Sequence, residues 1–256
     1  MFKEIDSVQN KIIKEVISLD IKKNRDKKGL FLLEGERLVS EAKVEDIEYI
    51  VISKSYKGYV PKVNKGYVIS DVLFSKICDT INPQGIIAVC KSFDYKIKDI
   101  KLENNPFFVM LENVMDPGNM GTIIRTADAA GVDGVILSKG CVDIFNPKVI
   151  RSTMGSIFHL PIYRNVELGE CIKYLNEKNI LTIGAHLKGE NTPYNTNLKN
   201  GCCVVIGNEA NGLSDEISNL ISSLVKIPMP GMAESMNAGI AAGILIYEGV
   251  RQRLGE

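Results

Sequence analysis

At 256 residues, 45% of them hydrophobic, the chain is long enough for one large domain or two smaller ones with a real core. It carries 31 Lys plus Arg against 31 Asp plus Glu, so overall charge singles out no class of partner. The halves differ slightly: residues 1–104 hold 19 basic and 16 acidic side chains and residues 105–256 hold 12 and 15, so a polyanion is expected on the first half.

Ile5, Val8, Ile12, Val16 and Leu19 recur at helical spacing and predict a first helix. A basic loop is expected at residues 22–29, then a strand at 31–33, a helix at 36–42 and strands at 47–52 and 67–69. A helix at 71–78 and a strand at 85–90 complete a small α/β domain spanning residues 1–93. Residues 94–105 are polar and weakly patterned and read as a linker.

Residues 106–256 alternate strand and helix more cleanly. Strands are expected at 107–111, 134–137, 157–163, 180–185, 202–206 and 224–227, with helices between them. One helix spans 119–130 and stops at Gly131. Asn146-Pro147 and Ser214-Asp-Glu open two more as capped starts. The last spans about 235–254, with Ser235 as its expected N-cap. Such alternation predicts a parallel sheet covered on both faces.

Several sites are excluded by inspection. No GxGxxG follows the first strand of the second half, and neither GxxxxGK[ST] nor GxSxG occurs. The six cysteines form no CxxC pair and read as free thiols, so no metal site is expected. His159 and His186 are 27 residues apart with no HxxxH partner and read as ordinary structural residues. The start of the chain lacks a secretory apolar stretch, and the longest apolar run falls short of the ~18 residues needed to cross a bilayer, so a cytoplasmic protein without membrane association is expected.

Three segments carry the chemistry: 112–125, 206–212 and 227–237. Each follows a short apolar run and is rich in Gly, Pro and Asn, as loops at the carboxyl ends of parallel strands are. Read alone, Arg125 also fits a surface arginine bridged to Asp128 at i+3, and the Gly207–Gly212 segment also fits a plain turn. Small residues crowd the last helix at Ala238, Gly239, Ala241, Ala242 and Gly243, which implies close packing by a neighbouring element or a second subunit.

Together and in this order the segments resemble the SpoU (TrmH-like) family of RNA ribose 2′-O-methyltransferases, within the knotted SPOUT superclass. The matching text is Asn113-Val-Met-Asp-Pro-Gly-Asn-Met-Gly-Thr-Ile-Ile-Arg125, then Ile206-Gly-Asn-Glu209-Ala-Asn-Gly, then Ile227-Pro-Met with Glu234-Ser-Met-Asn237. Met236 stands where the family more often has Leu, a nearly volume-conserving change. Through residues 24–37 the first domain also resembles the substrate-binding domain often fused to this family, which is similar to RNA-binding ribosomal proteins.

The resemblance implies an α/β fold with a C-terminal trefoil knot, S-adenosylmethionine as methyl donor, and a homodimer through the C-terminal domain. It implies catalytic roles for Arg125, with Asn113, Glu209, Ser235 and Asn237 orienting Arg125, ribose or cofactor loops, and cofactor binding at Gly207, Ile227 and Met236. Lys22, Lys23, Arg25, Lys27 and Lys28 are the expected phosphate contacts, although a solvated turn explains them equally well. Ribosomal RNA is favoured over transfer RNA. A rival reading is a non-catalytic RNA-binding or ribosome-assembly protein that keeps the fold; a second is a small-molecule α/β enzyme using another nucleotide.

Overall fold

The structure, a computed structural model, describes residues 2–255; Met1 and Glu256, the outer bounds of the expected domains, lie outside the described residues. The chain forms two compact units. One joins residues 143–158 to the chain up to Phe93; the other joins residues 94–142 to the chain from His159 onward.

The first unit contains β1 (Lys3–Ile5), α1 (Lys11–Ser18), α2 (Lys22–Lys28), β2 (Leu30–Glu34), α3 (Glu36–Glu41), β3 (Ile47–Ser53), β4 (Gly66–Ile69), α4 (Asp71–Ile77) and β5 (Ile86–Lys91), together with the helix Pro147–Thr153. Its sheet has the order β1-β4-β3-β5-β2, with β5 antiparallel to both its neighbours. Ile13, Val16, Val51, Ile69, Phe74 and Val89 are buried together in its core.

Two expectations fail here. The first helix does not begin at Ile5: residues 3–5 pair with 67–69 as β1, and α1 starts only after Asn10, whose side chain accepts from the Ile12 N–H. Ile5 is buried as part of a strand, so its place in the helical spacing is accidental. The basic segment is a helix, not a loop. Lys and Arg are good helix formers, and Gly29 closes α2 in the left-handed region at φ +63°.

Arg25 explains why this short charged helix holds its place. Its side chain is 4% exposed and donates to Asp143 Oδ2 through Nε (3.0 Å) and a terminal nitrogen (2.7 Å). The other terminal nitrogen donates to the carbonyls of Leu19 (2.8 Å) and Asp20 (2.7 Å). Beside this pair Phe31 stacks on Phe145 with ring centroids 4.6 Å apart, and Phe93 meets Phe145 edge-on at 5.1 Å. Residues 143–158 thus supply both a counter-ion and an aromatic wall.

In the second unit β6 (Phe107–Leu111), α5 (Pro117–Ala129), β7 (Gly134–Ser138), β8 (Ile162–Val166), α7 (Leu168–Glu177), β9 (Leu181–Ala185), β10 (Cys202–Ile206), α8 (Asp215–Leu220), β11 (Ser223–Val225) and α9 (Ala238–Leu254) follow in sequence, α6 being the helix Pro147–Thr153. All its strand pairs are parallel, in the order β11-β9-β10-β6-β7-β8. The central strands β6 and β10 are buried throughout, as a doubly covered parallel sheet requires. The strand expected at 157–163 is displaced. Residues 156–158 form a 3₁₀ turn, and pairing begins at Ile162, after Pro161, which has no N–H to donate. Ile97, Ile100 and Leu102, in the expected linker, pack against this unit's core.

The small residues of α9 have two explanations. Gly249 lies against the Phe107 ring, and Gly239 against Thr122 and Asn119, so the helix packs tightly on β6 and α5; Gly243 faces open space. Arg253 fixes the far end by donating to the carbonyls of Leu198 (3.0 Å), Asn105 (2.8 Å) and Asn200 (2.7 Å) while lying 4.6 Å from the Phe107 ring centroid.

Removing one partner of a buried ion pair leaves an uncompensated charge, which costs about 3–5 kcal/mol. Asp143→Ala is therefore expected to destabilise the first unit by that amount in denaturant unfolding, while the exposed Lys23→Ala stays within about 0.5 kcal/mol. A loss below about 1 kcal/mol for Asp143→Ala would show that Arg25 does not depend on this carboxylate.

Candidate functional site

The carboxyl ends of β6 and β10 lie side by side at the centre of the sheet, with Leu111 registered on Ile206. The first two candidate segments leave from them. Glu112 continues the ladder, its N–H donating to the Ile206 carbonyl at 2.8 Å, and its buried carboxylate accepts from the Ser214 N–H at 2.9 Å. The Asn208 side chain crosses between the loops, donating to the Asn113 carbonyl at 2.8 Å and accepting from the N–H groups of Ala210 and Asn211. Asn208 and Gly212 exchange backbone hydrogen bonds, both 2.9 Å. That closure needs Gly207, because a Cβ there would collide with the backbone of Gly212 and Leu213.

Glu209 is the hub. One carboxylate oxygen accepts from the N–H of Asp116 (2.9 Å) and the Asn119 side-chain amide (3.1 Å), and the other from the N–H of Met115 (3.1 Å). Burial raises its pKa, but those donors outweigh it and hold the carboxyl below its usual range. The negative charge also sits at the N-terminus of α5, where the helix dipole favours it. Asn119 passes the connection on: its side-chain oxygen accepts from Asn237 Nδ2 at 2.8 Å. The Asn237 oxygen then accepts from the N–H groups of Gly239 (2.9 Å) and Ile240 (3.2 Å), capping α9. One chain of polar contacts therefore gathers all three candidate segments.

Of the expected site residues, Glu209 and Asn237 lie in this chain. Asn113 does not; its backbone adopts φ +53°, its N–H donates to Ser138 Oγ at 2.9 Å and its side-chain oxygen accepts from the same hydroxyl. Ser235 is exposed and outside the network, and the N-cap is Asn237, two residues later than expected. Asn119 was not singled out by the sequence, yet it is 8% exposed and joins Glu209 to Asn237. One signal pointed to it. Asn119 is the third helical residue after the N-cap Asp116, where Glu or Gln normally reaches back to the cap N–H. Here that N–H goes to Glu209, which frees the Asn119 amide to bond elsewhere.

Arg125 is exposed on α5. The neighbour expected to bridge it, Asp128, accepts a hydrogen bond from His159 Nδ1 at 2.8 Å, and no ion pair between Asp128 and Arg125 occurs among the described residues. Arg25 is the reverse case: its inward ion pair removes it from any phosphate-binding face. Lys22, Lys23, Lys27 and Lys28 remain exposed on α2, with Lys22 paired to Asp26 and Lys28 to Glu15.

The segment from Ile227 to Met236 is regular neither as helix nor as strand, and among the described residues its backbone groups make no hydrogen bond. Pro228 and Pro230 have no N–H, while Ile227 and Met229 are half-buried. Unspent carbonyls and amides beside apolar side chains are the donor set that suits a nucleoside, whose base edge hydrogen-bonds and whose ring needs an apolar floor. Gly207, Ile227 and Met236 border this loop and the β10 turn. All six cysteines are free, four of them buried. Among the described residues no group of three or more His, Cys, Asp or Glu side chains could hold a metal ion, and no helix is long and apolar enough to cross a membrane.

Comparison with known proteins agrees with this geometry. The pattern of an MRM3-like substrate binding domain matches residues 10–88, and that of the SpoU rRNA Methylase family matches residues 106–247. The chain is 34% identical to the 23S rRNA (guanosine(2553)-2′-O)-methyltransferase RlmP of Bacillus subtilis, over 96% of this chain and 98% of that one. The crystal structure of an AdoMet-bound rRNA methyltransferase from Sinorhizobium meliloti superposes with a TM-score of 0.87 at 31% identity, covering 99% of this chain and 98% of that one. The SpoU methyltransferase AviRb from Streptomyces viridochromogenes, in complex with AdoMet, gives 0.87 at 28% identity over 96% and 99%. With three interlocked loops at the carboxyl ends of a parallel sheet and a family match across more than half its length, the chain belongs to the SpoU rRNA methylase family.

Proposed function

We propose that this protein transfers a methyl group from S-adenosylmethionine to a ribose 2′-hydroxyl of RNA, with ribosomal RNA favoured over transfer RNA. The observation that carries this reading is the Glu209–Asn119–Asn237 chain, which brings three distant loops to one place beside an open backbone segment. The relatives named above support it: two are rRNA methyltransferases and two hold AdoMet. None of the relatives named above is a non-catalytic RNA-binding protein.

When bound, S-adenosylmethionine supplies a sulfonium methyl open to attack by an oxygen nucleophile. The protein must orient the hydroxyl and favour its loss of a proton; alignment alone is worth several kcal/mol. Arg125 is exposed on α5 and suits the second task. A guanidinium is a poor base, so its role is to hold the neighbouring phosphate and stabilise the developing alkoxide by hydrogen bonding while the hydroxyl proton passes to water. Glu209, Asn119 and Asn237 act as positioning residues that fix the loops around the donor. Gly207, Ile227 and Met236 offer backbone groups and an apolar surface for it.

The same reading extends to assembly. Ile240, Tyr247 and Leu254 recur at seven-residue intervals on α9 and are exposed, with Gly243 open beside them, which supports a homodimer through the C-terminal unit. The neighbouring positions of β9, β10 and β6, and the locking of the loop after β10 against the loop after β6, support a trefoil knot. A cytoplasmic location accords with free thiols and an RNA substrate. The exposed lysines of α2 favour the first unit as the RNA-holding domain.

Arg125→Ala is expected to bind the donor normally by calorimetry while methyl transfer to RNA from a strain lacking the gene falls by about 100-fold or more. Full activity in that variant would remove Arg125 from the mechanism. Replacing Lys23 and Lys27 with Ala is expected to reduce the slope of log affinity against log salt by about 1.4–1.8, the share of two phosphate contacts. An unchanged slope would take α2 out of the RNA footprint.

A further inference from the structure

A second groove in the C-terminal unit takes no part in the donor site. It runs along β8 at the edge of the sheet, between the first turns of α7 and residues 94–100, and has a volume of about 800 Å³. Pockets that hold small ligands fall between roughly 300 and 1,000 Å³. Ile97, Val166 and Cys171 give it an apolar floor. Tyr95 and Tyr174 stand in its lining 44% and 40% exposed, Tyr95 meeting Tyr163 edge-on and Tyr174 lying under the Lys178 ammonium, so each ring keeps surface open to the groove.

The charges in the groove are mixed. Arg164 lies 3.4 Å from Asp94, which also pairs with Lys96, and Lys98 stands nearby. Glu167 and Glu170 line the same space. A bare polyanion would be repelled by those acids as much as attracted by the bases. A nucleotide is not: its phosphate suits the lysines, its ring suits tyrosine faces, and its amino and imino hydrogens suit carboxylate acceptors. Because every strand is parallel, the carboxyl end of β8 lies on the same sheet edge as the donor site. Two strand spacings, about 10 Å, separate it from β6.

We propose that this groove takes one unstacked nucleotide of the substrate RNA, its base against Tyr95 or Tyr174, its phosphate towards Lys96 and Lys98, and its base edge towards Glu167 or Glu170. The choice of RNA rests on the methyltransferase reading; the chemistry of the groove does not.

The chain has nine Tyr and no Trp, so stacking on the groove tyrosines is expected to quench part of an emission free of any Trp signal. The test titrates the full-length protein, its Tyr95→Ala/Tyr174→Ala variant and its Tyr95→Phe/Tyr174→Phe variant into fluorescein-labelled hexanucleotides of adenylate and of uridylate. It reads affinity from the anisotropy of the label and quenching from wild-type tyrosine emission with unlabelled oligomers, and measures donor binding to each protein by calorimetry. Quenching is expected in the wild type, affinity falling roughly tenfold or more in the Ala variant and staying near wild type in the Phe variant, with donor affinity equal in all three. Ultraviolet crosslinks from 5-bromouridine oligomers to wild-type residues 94–98 or Tyr174 would support the groove without any substitution. The proposal is overturned if the wild type binds neither oligomer, if the Ala variant binds both as well as the wild type, or if crosslinks form only elsewhere. Donor binding absent from the wild type would overturn the methyltransferase reading instead, leaving the groove to be judged on the oligomers.

Discussion

A carboxylate can accept hydrogen bonds but not donate them, and the candidate site is organised by that asymmetry. Because Glu209 accepts, Asn119 must turn its NH₂ towards it and its oxygen away. The Asn119 oxygen then requires the NH₂ of Asn237, which leaves the Asn237 oxygen to cap α9. One charged group thus sets the orientation of two amides and the start of a helix 28 residues further along the chain. The same carboxylate holds the N–H groups of Met115 and Asp116, half of what a local capping box would have done for α5. Its folded pKa lies below the ordinary 4.5, so its contribution is complete above that pH and is lost as pH falls through the lowered value.

The fold makes such reach possible. Parallel strands deliver all their carboxyl ends to one edge, and the neighbouring positions of β6 and β10 bring residues almost a hundred apart in sequence within hydrogen-bond distance. Gly207 lets the β10 loop close on itself, and Gly249 lets α9 press against Phe107. Arg253 secures the opposite end of α9 against Asn105, Leu198 and Asn200. The amide chain therefore works on a helix held at both ends.

Much of this was legible in the residues. β6 and β10 were read with their observed bounds because short apolar runs between turn residues are the plainest strand signal. The N-caps at Asn146 and Ser214 were also legible, since a side chain bonding its own next turn is local chemistry. What the sequence hid was non-local. Arg25 looked like one more solvated charge because its partner, Asp143, lies 118 residues away. Ser235 and Asn237 are both good caps, and only the Asn119 contact favours the second. Ile157 and Phe158 looked like the start of a strand because apolar character does not say which unit a residue packs into.

The central claim is that Asn119 and Asn237 act on the donor site as one unit. A double-mutant cycle on S-adenosylmethionine affinity, using Asn119→Ala, Asn237→Ala and both together, tests it most directly. Breaking the chain at either amide should release the same loop, so the double variant is expected to lose about as much affinity as the worse single variant. Losses that simply add would show two independent residues and contradict the account.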